Sequence, residues 1–343
     1  MNVISTFNQH RLMQSFVKET RAELNKLAAE SATLTVSDYF SLGSAAQKSM
    51  SYRASLDDVN YYKEAAGGAE ARLTSMQASM QNLKEISEEF RTQVIKVQGG
   101  SDGLGSAYIA SGARAYLDQA TQFLNTALGG RYIFSGPATG TPPIRRPDEE
   151  NENGVSPLDA VTEIMNTHDI TTSEGMQAFI NEVDAAFSGG NFDALLYKGA
   201  LPADGKRVTT FIDRNNEISL DVRANDDAFK SLLKGLYISA AVSSDKAPPE
   251  VFNTLMGKVL KDTEQAVNGV IGLSADVGYR EQSVADTLKN HENTARILNS
   301  AIVGIEGVDG YEAASRLANL QSQMEITYTL TARLAKLSII NYI

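Results

Sequence analysis

A position that recurs every three and then four residues runs from Val59 through Tyr62, Ala66, Ala69, Leu73, Met76, Met80, Leu83, Ser87, Phe90 and Val94 to Val97, and small or apolar side chains fill it. Spacing of this kind lines one face of a helix. It predicts a helix of roughly 39 residues, about 58 Å long at 1.5 Å per residue, far beyond the ordinary globular helix. Helices of that length build rods, and a chain that carries one is constrained to be mainly α.

The pattern breaks at "GGSDGLGS" (99–106) and resumes at Ile109, Ala113, Tyr116, Ala120, Phe123 and Ala127, which predicts a second helix returning antiparallel to the first. A longer seam follows from Met256: Leu260, Thr263, Val267, Val270, Ser274, Val277, Glu281, Val284, Leu288, His291, Ala295, Leu298, Ile302 and Ile305. Its glycines at 269, 272 and 278 predict bending or a local break. "GVDG" (307–310) then interrupts it.

The two ends of the chain carry more apolar surface than one seam needs. Met13, Val17, Thr20, Leu24 and Leu27 keep heptad spacing near the start, while Val3, Ile4, Phe7, Leu12 and Phe16 widen the face. Near the end Leu317, Leu320, Met324, Thr327, Thr331 and Leu334 form one line and Ile326, Leu330, Leu337 and Ile340 a second. Two short helices cannot bury two apolar faces each by pairing only with one another, so the surplus predicts contact with other copies of the chain. Charge agrees: residues 1–17 hold Arg11 alone and 327–343 only Arg333 and Lys336, so the net charge of −11 sits in the body.

That negative balance disfavours nucleic acid and anionic membrane surfaces, because phosphate binding needs Lys and Arg gathered on one face. No window reaches the ~18 apolar residues of a membrane helix, and the start lacks a basic leader with an apolar core, so no cleavable secretion signal is expected. With no cysteine, disulfides, thiolate metal sites and a cysteine nucleophile are excluded.

Between the helical halves, "GPATGTPPIRRPDEENENG" (136–154) reads as a loop that opens a separate domain. There "KRVTTFI" and "EISLDVR" flank "DRNN" as a β-hairpin, with Val208, Thr210 and Ile212 alternating against Ile218, Leu220 and Val222. "SEGMQAFINEVDAAF" and "NDDAFKSLLKGLYISAAV" read as helices opened by a Ser and by an Asn/Asp cap. "KAPPE" (246–250) leads back into the long helices. Just ahead of this domain stands "GGRYIFSG" (129–136), where Gly129 and Gly130 are read as stopping the second helix. Tyr132 and Phe134 then alternate in an extended segment lying against the long helices, and Gly136 with Pro137 releases the chain. Gly130, Tyr132, Phe134 and Gly136 are the structural motif.

No chemistry-bearing constellation competes with this picture. His10, His168 and His291 fall in separate segments, without HExxH or another ligand pair at helical spacing, and His291 is expected to be a partnered core residue. The "GGSDGLGS" loop follows a helix and lacks the GK[ST] ending of a phosphate loop. The acidic run Asp148, Glu149, Glu150 and Glu152 lacks the alternation of a calcium loop. No GxSxG is present. Catalytic residues, metal ligands and cofactors are all expected to be absent.

Sticky helices at both ends, long heptad helices inside them and an inserted mixed domain resemble the flagellin superfamily. "GGRYIFSG" resembles its G-R-Y-aliphatic-F-small-G signature, and "RLAKLSIINYI" (333–343) its L-S-L-L-x-Y-L ending in the hook-filament junction proteins, the hook-associated protein 3 type. "GVDGYEAASRLANLQSQMEITYTLTARL" (307–334) is similar to the acidic turn and helix of that ending, and "RVTTFIDRNNEISLDVRANDDAFKSLLKGL" to the hairpin and N-A-D-x-x-A-F helix of the shorter junction proteins. The loop that often reads S-T-G-x-x-I/V-N-R-P-S-D-D-P is replaced by "ESATLTVSDYFSLGS" (30–44), which sets the chain apart from ordinary flagellin.

The resemblance implies a structural subunit, secreted through the flagellar type III apparatus and forming a ring between the first hook-associated protein and flagellin, with an export chaperone. A minor flagellin or a flagellin-like surface adhesin is the alternative. The expected fold is mainly α with a small α+β insertion, long heptad helices forming an elongated rod and both termini together. Three domains are expected: 1–40 with 311–343 as a terminal-helix core, 41–137 with 248–310 as the rod, and 138–247 as the inserted outer domain. Ile4, Phe7, Phe16, Leu320, Met324, Leu330, Leu334 and Leu337 are the expected assembly contacts.

Overall fold

A computed structural model describes residues 3–98, 104–151, 154–201, 205–242 and 247–340; residues 99–103 of the expected "GGSDGLGS" connection lie outside them. The chain is mainly α with a small α+β insertion. Four helices dominate: α1 (Val3–Thr33), α2 (Ala45–Gln98), α8 (Pro249–Glu306) and α9 (Gly310–Ile340). Between α2 and α8 lie α3 (Leu104–Leu124), the two-residue strands β1 (Ala127–Leu128) and β2 (Arg131–Tyr132), α4 (Pro157–Thr167), α5 (Ser173–Ala186), α6 (Gly189–Leu195), the hairpin β3 (Thr209–Asp213) and β4 (Asn216–Ser219), and α7 (Asp227–Ala241). Two compact units result, Met1–Tyr61 with His291–Ile343, and Tyr62–Asn290.

In the unit of residues 62–290 the first seam is a core. Ala66, Leu73, Met76, Met80, Leu83, Phe90 and Val94 are fully buried. The helix that carries them starts fourteen residues ahead of Val59, the first seam position, at Ala45. Its N-terminal part, where serines, alanines and Asp57 and Asp58 prevail, shows too little apolar periodicity to be seen in the sequence. The second helix is also shifted. Its buried line is Ile109, Ala113, Leu117, Ala120 and Leu124, with Tyr116 and Phe123 flanking it half-buried, and the helix ends before Ala127, which is exposed in β1.

The third seam lies on one face throughout: each position from Met256 to Ile305 is buried or half-buried. Its polar members are partnered. Glu281 accepts from the Thr74 hydroxyl at 2.6 Å and Ser274 from the Gln77 amide at 2.7 Å, pairs that also set α2 antiparallel to α8. Of the bending or local break expected at the glycines, the break does not occur, since α8 is continuous from Pro249 to Glu306. Gly269 serves close approach instead: a Cβ there would stand 2.7 Å from the Ala228 Cβ of α7. Gly235 of α7 sits similarly near Thr263 and Val259.

The insertion packs its helices around α7, twelve of whose residues are buried. Phe134 and Phe229 meet edge to face at 5.9 Å, and Phe187 and Tyr237 meet in a tilted arrangement at 5.7 Å. An ion network stitches α5, α7 and α8: Lys234 and Lys258 each bridge Asp184 and Asp262, over 2.6 to 3.2 Å. Burial raises the Asp184 pKa, but the two ammonium groups outweigh it and hold the carboxyl below its ordinary value. The β3–β4 hairpin has the alternation expected, with Thr210 opposite Ile218 and Ile212 buried. The α5 cap is Thr172, one residue ahead of the Ser173 expected, its hydroxyl accepting from the Gly175 N–H at 3.1 Å. Helices α4 and α6 add to the expected set. α4 has a legible signature in hindsight, Ser156 capping the Asp159 N–H with Pro157 in the first turn.

Candidate functional site: the terminal helices and their anchor

In the unit of residues 1–61 and 291–343, α1 and α9 pack along one another. Their heptad lines face inward: Met13, Val17 and Leu24 of α1 and Leu317, Leu320, Met324, Thr327 and Thr331 of α9 are half-buried, while Thr20 and Leu27 are buried. Threonine is tolerated in these lines because its hydroxyl bonds the carbonyl four residues back, Thr20 to Phe16 at 2.7 Å and Thr331 to Thr327 at 2.7 Å. Few residues close completely. A groove of about 550 Å³, lined by Met13, Val17, Ala22, Tyr328 and Thr331 among others, runs beside the pair.

The second apolar line remains open. Leu12 is 69% exposed, Ile326 57%, Phe16 50% and Leu330 47%. The eight expected contacts therefore separate: Phe16 and Leu330 lie on the open surface, and Leu320 and Met324 in the inward line. Ile4 and Phe7 lie in α1 and Leu334 and Leu337 in α9, but their side chains fall outside the described residues. Tyr328, half exposed beside the groove, was not singled out by spacing.

What holds this helix pair is a compact anchor at its base. The segment after α1 pairs with the turn between α8 and α9: Val36 N–H donates to the Glu306 carbonyl at 2.9 Å, Val308 N–H to the Leu34 carbonyl at 3.0 Å, and Thr35 bridges Gly307. Leu34 takes φ 55°, a left-handed conformation costing about 1–2 kcal/mol in a non-glycine residue, which these bonds sustain. Glu306, its side chain 2% exposed, is gripped by the Arg53 guanidinium through both oxygens, with Nε to Oε1 at 2.9 Å, and by the Ser49 hydroxyl. The Arg53 bond, with smaller help from Ser49 and Tyr39 against the cost of burial, brings the Glu306 pKa down to about 2. Glu30 likewise accepts from the Ser37 N–H and hydroxyl, both at 3.1 Å. Spacing gave no hint of Glu306, because a lone glutamate before "GVDG" looks like any helix end.

The "GGRYIFSG" stretch belongs to the other unit, and its glycines do different work from helix termination. α3 already ends at Leu124, and Gly129 and Gly130, at φ 58° and 77°, form the two-residue turn between β1 and β2. Tyr132 and Phe134 do not simply alternate outward and inward: Ile133 and Phe134 are both fully buried and Tyr132 is half-buried. Hydrogen bonds splice the segment to its surroundings, from the Arg72 guanidinium of α2 to the Ile133 carbonyl at 2.7 Å, from Ala224 N–H to the Phe134 carbonyl at 2.9 Å, and from Ala200 N–H to the Ser135 carbonyl at 3.0 Å. Gly136, at φ 60°, lies against the Arg223 guanidinium, which a Cβ would approach to 3.1 Å.

Among the described residues no group of three or more His, Cys, Asp or Glu side chains is placed to hold a metal, and no helix is long and apolar enough to cross a membrane. His168 pairs with Glu182 at 2.6 Å, and His291 is buried in its seam position.

Comparison with known proteins follows the same lines. Residues 260–343 match the family described as the bacterial flagellin C-terminal helical region. A comparison with curated proteins gives no match. Among solved structures, the fold is similar to that of a protein assigned as a flagellar hook-associated protein from Vibrio parahaemolyticus, with TM-score 0.52, 11% identity, and 76% of this chain and 96% of that one covered. It is similar also to flagellar hook-associated protein 3 from Legionella pneumophila, with TM-score 0.51, 9% identity and 74% and 98% covered. Bacillus cereus FlgL aligns at TM-score 0.48 and 14% identity, over 76% of this chain and 100% of that one.

Proposed function

We propose that this chain is a member of the flagellin superfamily and a structural part of a bacterial flagellum, placed at the hook-filament junction as a protein of the FlgL, or hook-associated protein 3, type; the match of residues 260–343 to the flagellin C-terminal helical region supports the reading. The observation that carries the reading is the surplus apolar surface of α1 and α9. Phe16, Ile326 and Leu330 are about half exposed on a helix pair whose other apolar line already faces the partner helix, which is the surface of a subunit meant to be covered by its own copies.

In this reading the chain is a structural subunit without catalytic function. It is exported through the flagellar type III apparatus with the help of a chaperone, and it self-associates in a ring outside the cell. The ring meets the first hook-associated protein on its proximal side and flagellin on its distal side, adapting one lattice to the next. We assign the terminal-helix core to residues 1–40 with 311–343, the long-helix part to 41–137 with 248–310, and the outer domain to 138–247. Ile4, Phe7, Leu334 and Leu337 join Phe16, Leu320, Met324 and Leu330 as proposed contacts, and "GGRYIFSG" is proposed as the clasp through which the outer domain leaves the long helices.

Deleting residues 330–343 is expected to leave a folded, exported monomer that cannot support filament growth; normal motility in that strain contradicts the reading. The position of an epitope tag in the 138–247 insertion separates the alternatives. A single spot at the filament base is expected, whereas label along the filament would make the chain a minor flagellin, and glycan binding by the insertion would favour an adhesin.

A further inference from the structure

The anchor displays two aromatic side chains that the fold does not use. Phe40 is 95% exposed and Tyr311 92%, the most open large apolar residues of the described chain. Neither sits on a loose strand. Phe40 lies in a one-turn 3₁₀ helix, Tyr39–Leu42, whose start is capped by the Asp38 carboxylate accepting from Phe40 N–H at 2.9 Å. Tyr311 opens α9 under the same device, its N–H donating to Asp309 at 2.8 Å. The two connections that carry these rings are the ones locked together through Leu34–Val308, Val36–Glu306 and Glu306–Arg53. Exposing an aromatic ring on a held backbone forgoes the stabilisation its burial would bring, unless something later covers it.

Charge indicates what does. Residues 34–61 and 305–316, which make up the anchor and the helix turns beside it, hold six carboxylates against three cations. Residues 1–17 and 326–343 of the terminal helices hold Arg11, Arg333 and Lys336 and no carboxylate side chain. One chain thus carries an acidic, aromatic-studded anchor and basic, apolar helix ends. Joined between two copies, these surfaces complement one another in both sign and polarity.

We propose that the anchor is a docking surface for the basic ends of α1 and α9 of a second copy of this chain, with Phe40 and Tyr311 packing on its apolar face. The contact is head to tail: each copy offers a different surface to each neighbour, so association continues in one direction until a ring closes or a filament forms. It rests on the proposed assembly role and adds to it a second, charge-steered contact distinct from the side-by-side burial of Phe16 and Leu330.

A mixing experiment tests it. The double variant Phe40→Ser with Tyr311→Ser spoils the anchor alone, and the charge reversal Arg11→Glu with Arg333→Glu and Lys336→Glu spoils the ends alone, leaving Phe16 and Leu330 in place. In sedimentation velocity each is expected to associate at least tenfold more weakly than the wild type. Mixed in equal amounts they are expected to form a 1:1 complex, since one still offers ends and the other an anchor. That complex is expected to dissociate as salt rises from about 0.05 to 0.5 M, where screening shortens the reach of the charges. Thermal melting unchanged by the two serines confirms that folding is intact. A mixture that stays monomeric, or a double variant that self-associates like wild type, overturns this contact while leaving the assembly role standing. A wild type that remains monomeric at every concentration overturns the assembly role itself, and this contact with it.

Discussion

The two units use the same heptad spacing for opposite ends. In residues 62–290 the seam is closed: Leu73, Met76, Met80, Leu83 and Phe90 are fully buried, and Phe134 and the insertion's Phe179, Phe192, Phe229 and Tyr237 are buried with them. In the unit of α1 and α9 the spacing is as regular, yet of the described residues of α9 only Ala313 is buried, and a second apolar line stands open. A three-and-four repeat therefore states which face of a helix is apolar and leaves open whether that face is covered from within. What separates the units is supply. Residues 62–290 contain enough partner helices to close each face, whereas α1 and α9 have one another and an anchor.

Core truncation in the closed unit should produce the largest effect. Phe229→Ala removes a fully buried ring that meets Phe134 edge to face, and is expected to cost about 3–5 kcal/mol in chemical denaturation. A cost below 1 kcal/mol would mean that this unit is packed no more tightly than the terminal one.

The anchor ranks next. Arg53→Ala leaves the buried Glu306 carboxylate with hydroxyl partners only, and is expected to cost about 2–3 kcal/mol, less than a fully buried pair because Arg53 is itself 48% exposed. Hydrogen exchange at Val36 and Val308, whose N–H groups close the anchor, is the direct readout. The pH dependence has a definite sign. Because the Glu306 pKa falls from 4.5 to about 2 on folding, its stabilisation is complete above the unfolded value and is lost as pH drops through about 2. Protection of the two amides should therefore weaken between about pH 4.5 and 2 in the wild type and be flat there in Glu306→Gln.

Smaller again is Gly136→Ala. Its left-handed backbone and the Arg223 guanidinium beside it predict a loss of about 1–2 kcal/mol in melting experiments. Gly129→Ala, in the same conformation with open space around its α-carbon, should cost only the conformational part.

Much of the long-helix architecture was legible because a seam many turns long is a strong signal. All fifteen positions from Met256 to Ile305 fall on the inward face, Glu281 and His291 included. What remained illegible depends on neighbours distant in sequence. Gly269 reads as a helix breaker until α7 brings Ala228 against it. Gly129 and Gly130 suit a helix stop and a hairpin turn equally, and only the end of α3 at Leu124 decides between them. The first turns of α2 were hidden because their buried face is polar there, Ser49 being spent on Glu306. Among the proposed contact residues, composition identified an apolar surplus at both ends, yet spacing could not tell Leu320 and Met324, which face the partner helix, from Phe16 and Leu330, which face outward.

The open line of α1 and α9 is, on this reading, surface for other copies and contributes little to the fold of one. Measuring thermal melting and sedimentation side by side for the wild type and Phe16→Ser with Leu330→Ser tests it most directly. Exposed substitutions of this kind are expected to move stability by no more than about 0.5 kcal/mol each, so the melting curves should nearly coincide while concentration-dependent association of the variant collapses. A variant that melts several degrees lower yet associates like the wild type would contradict the claim, placing Phe16 and Leu330 in the fold of the single chain.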